Sequence, residues 1–266
     1  MVAEDTHREQ ADRRLPLILD APEHCSHCWT CVRHCPAHAM RVIDSQVTII
    51  RERCVQCGSC VTECGAGVAH RVRSDTAIVE SLLASGRPVV AILASEYLAA
   101  MHPLTSDETE RALVSLGFEG LETSVLGEEL VAVQYERSHA RTDTLVPRLR
   151  STCPVAVDWV RKFYPELTGA LEPVVPPYIA QARLVRALYP STVAVVYVSP
   201  CWARKDEIHE PALQGLVDVT IGFDELLAMI EGSPPVANSV TLALPGPRVQ
   251  AVKQLSATDG FPRRTL

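Results

Sequence analysis

The stretches "CSHCWTCVRHCP" (residues 25–36) and "CVQCGSCVTECG" (residues 54–65) are two copies of one pattern, offset by 29 residues from Cys25 to Cys54. Each has three cysteines at intervals of three and a fourth after four more: Cys25, Cys28, Cys31 and Cys35, then Cys54, Cys57, Cys60 and Cys64. Three thiolates so spaced sit around one face of a tight loop, where backbone amides can also point at sulfur and balance negative charge. The fourth begins the next helical turn and faces the other way. Two structural zinc sites would also use eight cysteines, but zinc sites pair separated C-x2-C knuckles. Two complete runs of four favour iron-sulfur clusters instead.

This pattern resembles the two-[4Fe-4S] ferredoxin family over residues 15–73. The resemblance implies two [4Fe-4S] clusters, the fourth cysteine of each run serving the other cluster. Cluster 1 would take Cys25, Cys28, Cys31 and Cys64, and cluster 2 Cys54, Cys57, Cys60 and Cys35. One departure is Gly65, where a proline is expected after the second run; it alters the turn and removes no ligand. Between the runs, "MRVIDSQVTIIRE" reads as two short strands around the turn "DSQ", with Val42, Ile43, Val47, Ile49 and Ile50 covering the clusters. Trp29 could shield one cube or stand as a partly exposed loop aromatic. His24, His27, His34 and His38 are expected on the surface or behind the ligands, because eight cysteines already fill eight positions. Arg33, Arg51, Arg53, Arg71 and Arg73 are expected as solvated charges.

The chain has 266 residues, 47% hydrophobic and 21% charged, the balance of a globular protein. It contains no apolar run of about 18 residues, so no membrane span is expected. "MVAEDTHREQADRR" lacks the apolar centre of a secretory signal, so the protein is expected to stay in the cytoplasm. There, ten cysteines are expected as metal or redox groups and not as disulfides. A net charge of -7 argues against nucleic acid as the partner. The expected organisation is a polar tail over 1–14, a two-cluster module over 15–75, a linker or helix over 76–86, and a second domain over 87–266.

That second domain reads as α/β with a mainly parallel sheet. "RPVVAILAS" and "TVAVVYVSP" are near-continuous apolar runs, as in parallel strands covered on both faces. "TSDETERALVSLG" begins with a capping box, Thr105 to Glu108, and stops at Gly117. In "AVDWVRKFY" the residues Ala156, Trp159, Val160, Phe163 and Tyr164 share a face. "VDVTI" is a strand and "FDELLAMIEG" the helix after it. Cys201 follows one strand and Cys153 the strand-like "TLVPRLRS", which puts both thiols on the rim where ligands of open α/β sheets gather. Pro154, a favoured first helical residue, sets Cys153 at a helix N-terminus, where its thiolate would be favoured. Two buried cysteines acting as small hydrophobes are the plainer alternative.

The second domain resembles the large subunit of [FeFe]-hydrogenases. "RSTCP" followed by "FYPEL" looks like the family's T-S-C-C-P motif and the segment after it; "SPCWARKDE" looks like M-P-C-x-x-K-x-x-E. "VVPPYIAQARLVRALYP" and "VDVTIGFDELLAMI" look like other family segments, so the resemblance covers nearly all of residues 15–232. It implies that Cys153 and Cys201 correspond to two ligands of the [4Fe-4S] part of the catalytic H-cluster. The family's third motif, which supplies two further cysteines, has no counterpart here, and the chain is expected to stop near where the second half of the domain begins. The proton-relaying cysteine falls at Thr152, whose hydroxyl has too high a pKa for that exchange. The lysine that holds the di-iron unit falls at Arg204, with Lys205 beside it as a substitute. Glu207 keeps the motif's carboxylate.

These observations lead to an iron-sulfur protein of electron transfer or redox sensing, without hydrogen turnover of its own, whose partners are electron donor and acceptor proteins. Cys153 and Cys201 would form a partial third cluster site, or remnants of one. Two alternatives are a subunit of a split hydrogenase-like oxidoreductase, completed by a chain that shares the third cluster, and the first part of a longer redox sensor. No glycine-rich phosphate loop or hydrolase motif is present.

Overall fold

The computed structural model describes residues 15–67, 69–140 and 148–232. The polar tail, residues 144–147 of the strand-like "TLVPRLRS" and the segment after 232 lie outside the described residues. The chain divides into two compact units, Met1–Arg73 and Ser74–Leu266.

In the first unit the elements are short because loops of ligand spacing interrupt every one of them. Strand β1 (Ile18–Asp20) pairs antiparallel with β4 (His70–Val72), Ile18 opposite Val72 and Asp20 opposite His70. Strands β2 (Met40–Ile43) and β3 (Gln46–Ile49) form the expected hairpin. Its turn places Asp44 and Ser45 at φ 49° and 62°, the doubly left-handed form that matches strand twist. Two one-turn helices, α1 (Thr30–His34) and α2 (Ser59–Thr62), each follow the second cysteine of a run.

The hairpin corrects part of the expected cluster cover. Val47 and Ile49 are buried, but Val42 and Ile43 are 44% and 47% exposed. Ile43 shares the outer face with Arg41 and Thr48, and Val42 lies at the open end of the inner face, past Met40. The arginines also differ from expectation. Arg51 donates to the Ile18 carbonyl at 2.7 Å and to Asp20, Arg53 to the Ala37 carbonyl, and buried Arg73 to the Leu15 carbonyl at 2.8 Å. A chain with so few ladder bonds has carbonyls to satisfy, and the guanidinium forks satisfy them.

The second unit is a mixed α/β layer on a four-stranded parallel sheet of order β6-β5-β7-β8, with β5 (Val89–Leu93), β6 (Gly120–Thr123), β7 (Ala194–Ser199) and β8 (Val219–Gly222). Every residue of β5 and β7 is buried, which is why these strands read as unbroken apolar runs. The order reverses between β5 and β7, so the crevice at their carboxyl ends is the topological switch point. Around the sheet lie α3 (Thr76–Ala84), α4 (Tyr97–Ala100), α5 (Ser106–Leu116), α6 (Val125–Ala140), α7 (Pro154–Phe163), α8 (Pro177–Leu188), α9 (Arg204–Glu207) and α10 (Phe223–Glu231). At the start of α5 the capping box forms: the Glu108 amide donates to Thr105 Oγ1 at 3.3 Å, and the Thr105 amide to Glu108 Oε2 at 2.8 Å. Gly117 ends the helix at φ 101°.

Two readings are corrected. "TLVPRLRS" adds no described strand to the sheet; Leu149 makes only an isolated bridge to Leu171. In α7 the buried residue is Val157, while Ala156 and Tyr164 are exposed, because apolar side chains occupy adjoining faces of this ten-residue helix. Helix α6 and strand β6 carry no strong pattern in sequence. Gly127 explains the approach of α6 to α8: a Cβ there would lie 2.1 Å from the Pro177 carbonyl oxygen.

Candidate iron-sulfur and thiol sites

The two cysteine runs fold alike, residue by residue. His27 and Gln56, 29 apart, both adopt left-handed backbone, at φ 57° and 58°. This turns the His27 amide onto Cys25 Sγ at 3.4 Å and the Gln56 amide onto Cys54 Sγ at 3.4 Å. Trp29 and Gly58, the next equivalent pair, are also left-handed, at φ 57° and 77°. The Ala39 amide donates to Cys35 Sγ at 3.2 Å.

Tertiary folding then groups the thiols. Burial raises the Cys31 thiol above its usual range, and the neighbouring charges of Cys25, Cys28 and Cys64 add to the rise. Burial pushes Cys60 up to about 12, with the charges of Cys54, Cys57, Cys35 and Cys31 adding to it. Thiols so grouped cannot all ionise beside one another unless a cationic core sits among them. Cys35, Cys54, Cys57 and Cys60 line a cavity whose other walls are Ile18, Ala37, Ala39, Met40, Ile49, Val55, Gly58 and Ser59. Among the described residues no three His, Cys, Asp or Glu side chains converge tightly enough for a single metal ion. A zinc ion with bonds of about 2.3 Å would require sulfurs on the order of 4 Å apart. An apolar cavity, thiols spread around it and amides aimed at sulfur fit an iron-sulfur cube.

Cys28 is exposed and lies lower, at about 7, held there by the Thr30 hydroxyl and amide, the Ser26 hydroxyl and the Gly65 amide. Gly65 lies against this sulfur: a Cβ there would be 3.5 Å from Cys28 Sγ. His24, His27, His34 and His38 are all exposed. Trp29 is half-buried, with its ring edge-on to His27 at 5.6 Å.

In the second unit, Cys201 follows β7 at the switch point and Cys153 is the N-cap residue of α7. Cys153 is exposed and its sulfur makes no capping hydrogen bond. Burial raises the Cys201 thiol, the Arg204 cation opposes this, and the charge of Cys153 adds to it, so the two thiols lie within electrostatic reach. Arg204 braces their two loops. One arm of its guanidinium donates to the Thr152 carbonyl and the other to Glu207. Tyr178, from α8, donates its hydroxyl to Glu207 at 2.8 Å and lies with its ring 4.9 Å beneath Arg204. Burial pulls the Arg204 pKa down, but the Glu207 carboxylate together with Tyr197 and Tyr178 more than offsets it and keeps the guanidinium above its ordinary value. The Thr152 hydroxyl accepts from Arg150 at 3.5 Å.

Lys205 is not a substitute for Arg204. Its side chain turns the opposite way, 1% exposed, to Glu225 at 2.6 Å and Asp75 at 3.4 Å. Glu225 also accepts the amides of Asp75 and Gly222 and the Ser74 hydroxyl. Adjacent residues on a one-turn helix diverge by about 100°, so only one of the two can face the thiols. The role of Tyr178 was not legible in sequence, where it reads as one apolar position among many in α8.

Comparisons with known proteins agree with these two units. Residues 17–65 match the family described as "4Fe-4S dicluster domain". Residues 87–246 match "Iron only hydrogenase large subunit, C-terminal domain". Among solved structures, one described as "[FeFe]-hydrogenase Oxygen Inactivation is Initiated by the Modification and Degradation of the H cluster 2Fe Subcluster" is similar at 19% identity and a TM-score of 0.47, over 60% of this chain and 47% of that one. The chain therefore spans about half the length of that solved chain. The hydrogenase match takes in more than half of the sequence, and the chain belongs to the iron-only hydrogenase large-subunit family, with a 4Fe-4S dicluster domain ahead of the hydrogenase-like part.

Proposed function

We propose that this chain is a cytoplasmic electron-transfer protein with two [4Fe-4S] clusters, held by Cys25, Cys28, Cys31 and Cys64 and by Cys54, Cys57, Cys60 and Cys35, and that it turns over no hydrogen by itself. A bound cluster supplies one-electron redox chemistry. The chain supplies the thiolates, the amides that offset their charge, and apolar walls that keep water from the second site. The observation that carries the reading is the repeated cradle, in which His27 and Gln56 aim equivalent amides at Cys25 and Cys54. Absence of autonomous hydrogen chemistry is supported by Thr152 at the relay position and by the turning away of Lys205. Anaerobic reconstitution with iron quantification tests the reading: about eight irons per chain are expected, and a value near four would overturn it.

A second reading follows from Cys153 and Cys201. Two thiols within electrostatic reach, one following β7 at the switch point and one exposed at the N-cap of α7, would make half of a ligand set. In this reading a partner chain supplies the rest and shares a third cluster. A redox-sensing role, in a longer protein, would use the same pair. Iron in excess of about eight per chain, lost on Cys153→Ser, distinguishes a third site from remnants.

A further inference from the structure

Cys153 and Cys201 are the two cysteines outside the repeated runs, and their loops are tied to each other. The Arg204 amide donates to the Cys201 carbonyl at 3.2 Å, while the Arg204 guanidinium donates to the carbonyl of Thr152, the residue before Cys153. One chain therefore offers two thiols at this place, and an iron-sulfur cube takes four. A cube of alternating iron and sulfur has two-fold axes that divide its irons into two pairs, and the commonest homo-oligomer is a two-fold dimer. Two copies of this chain related by such an axis supply the missing pair.

The surface beside Cys153 suits a face that meets its own copy. Helix α7 starts directly after the exposed Cys153, and its buried residue is Val157. Ala156, Trp159 and Phe163, at i, i+3 and i+7, form a stripe turned away from Val157. Ala156 is exposed, and the other two are half-buried with their rings 5.0 Å apart. Beyond the helix, Tyr164 and Leu167 are 46% and 43% exposed. A self-docking face also meets its own charges, so unpaired charges on it repel. The charges of α7 are already paired within the chain, Lys162 with Asp158 at 3.3 Å and Arg161 with Glu210 at 2.9 Å. The N-terminal dipole of this ten-residue helix favours an anionic cluster as well. Resting on the second reading above, in which another chain completes a third cluster, we infer that this other chain is a second copy: a two-fold dimer meets across the α7 stripe and holds one [4Fe-4S] cluster between Cys153 and Cys201 of one protomer and the same two cysteines of its partner. The dimer is joined by metal as well as by apolar area, and it comes apart when the cluster is lost.

The test is anaerobic reconstitution of the full chain with iron and sulfide, followed by size separation with light scattering and iron analysis of each fraction. The monomer should carry about eight irons per chain and the dimer about ten, because two chains share one further cube. Cys153→Ser and Cys201→Ser should each return the protein to a monomer with about eight irons per chain. Ala156→Glu and Leu167→Glu change exposed positions and no ligand, and both should lose the dimer and the extra iron together. A dimer without extra iron, a dimer that survives Cys153→Ser, or no dimer at all would overturn the inference; in the last case a different partner chain still stands as the completion. A monomer with about twelve irons per chain would overturn the inference and the partner reading together. Iron near four per chain in Cys153→Ser would count instead against the two-cluster reading.

Discussion

The first unit and the second are built on opposite principles. The strands of the first are three or four residues long and its helices a single turn, and left-handed turns and ligand-bearing loops do the work of secondary structure. The second buries all of β5 and β7 between helices. One unit is organised by what its sulfurs can bind, the other by apolar area removed from water. The first should therefore depend on its metal for stability and the second should not.

The strongest way to break this comparison is to remove one ligand. Cys60→Ser should lower iron from about eight to about four per chain, and a melting curve should lose its first-unit transition while the parallel sheet melts as before. If both units melt together at a lower temperature, the division is wrong. Next in size is Lys205→Met in the second unit. It leaves buried Asp75 and half-buried Glu225 without this cation and should cost about 3–5 kcal/mol in denaturant unfolding, with iron content unchanged.

Smaller effects sharpen the contrast. Thr105→Ala should cost about 1 kcal/mol through loss of the N-cap hydroxyl of α5. The Thr105 amide and hydroxyl hold the Glu108 carboxyl below its usual range. Its contribution is thus present above the unfolded carboxyl pKa of about 4.3 and is lost as pH falls through the lower folded value. Unfolding curves of parent and variant should accordingly differ most near neutrality and draw closer in acid, keeping the part due to the Glu108 amide bond to Thr105 Oγ1. The smallest effect is expected of Val42→Thr at the exposed hairpin end, within about 0.5 kcal/mol; a larger loss would mean that Val42 covers a site after all.

Much of the fold was legible because it rests on local rules. β5 and β7 are readable as apolar runs, α5 by its capping box and Gly117, and the β2–β3 hairpin by alternation around a polar turn. β6 and α6 were not, since "GLET" is too short to show a period and α6 has apolar residues on several faces. The inward face of α7 depended on what packs against it, so the choice between Ala156 and Val157 had no local answer. Arg51, Arg53 and Arg73 looked like surface charges because the carbonyls they satisfy, in Ile18, Ala37 and Leu15, are distant in sequence.

By itself the sequence determined the two cysteine runs, their offset, and the α/β character of the second unit, because spacing and hydropathy act along the chain. Only the tertiary structure decided which thiols share an electrostatic environment, that Arg204 faces Thr152 and Glu207 while Lys205 faces Asp75 and Glu225, and that Gly65 lies against Cys28. The physical reason is range. A turn is set by neighbours a few residues away, whereas the partner of a buried charge or a thiol is chosen by whatever the packed chain brings within a few ångströms of it.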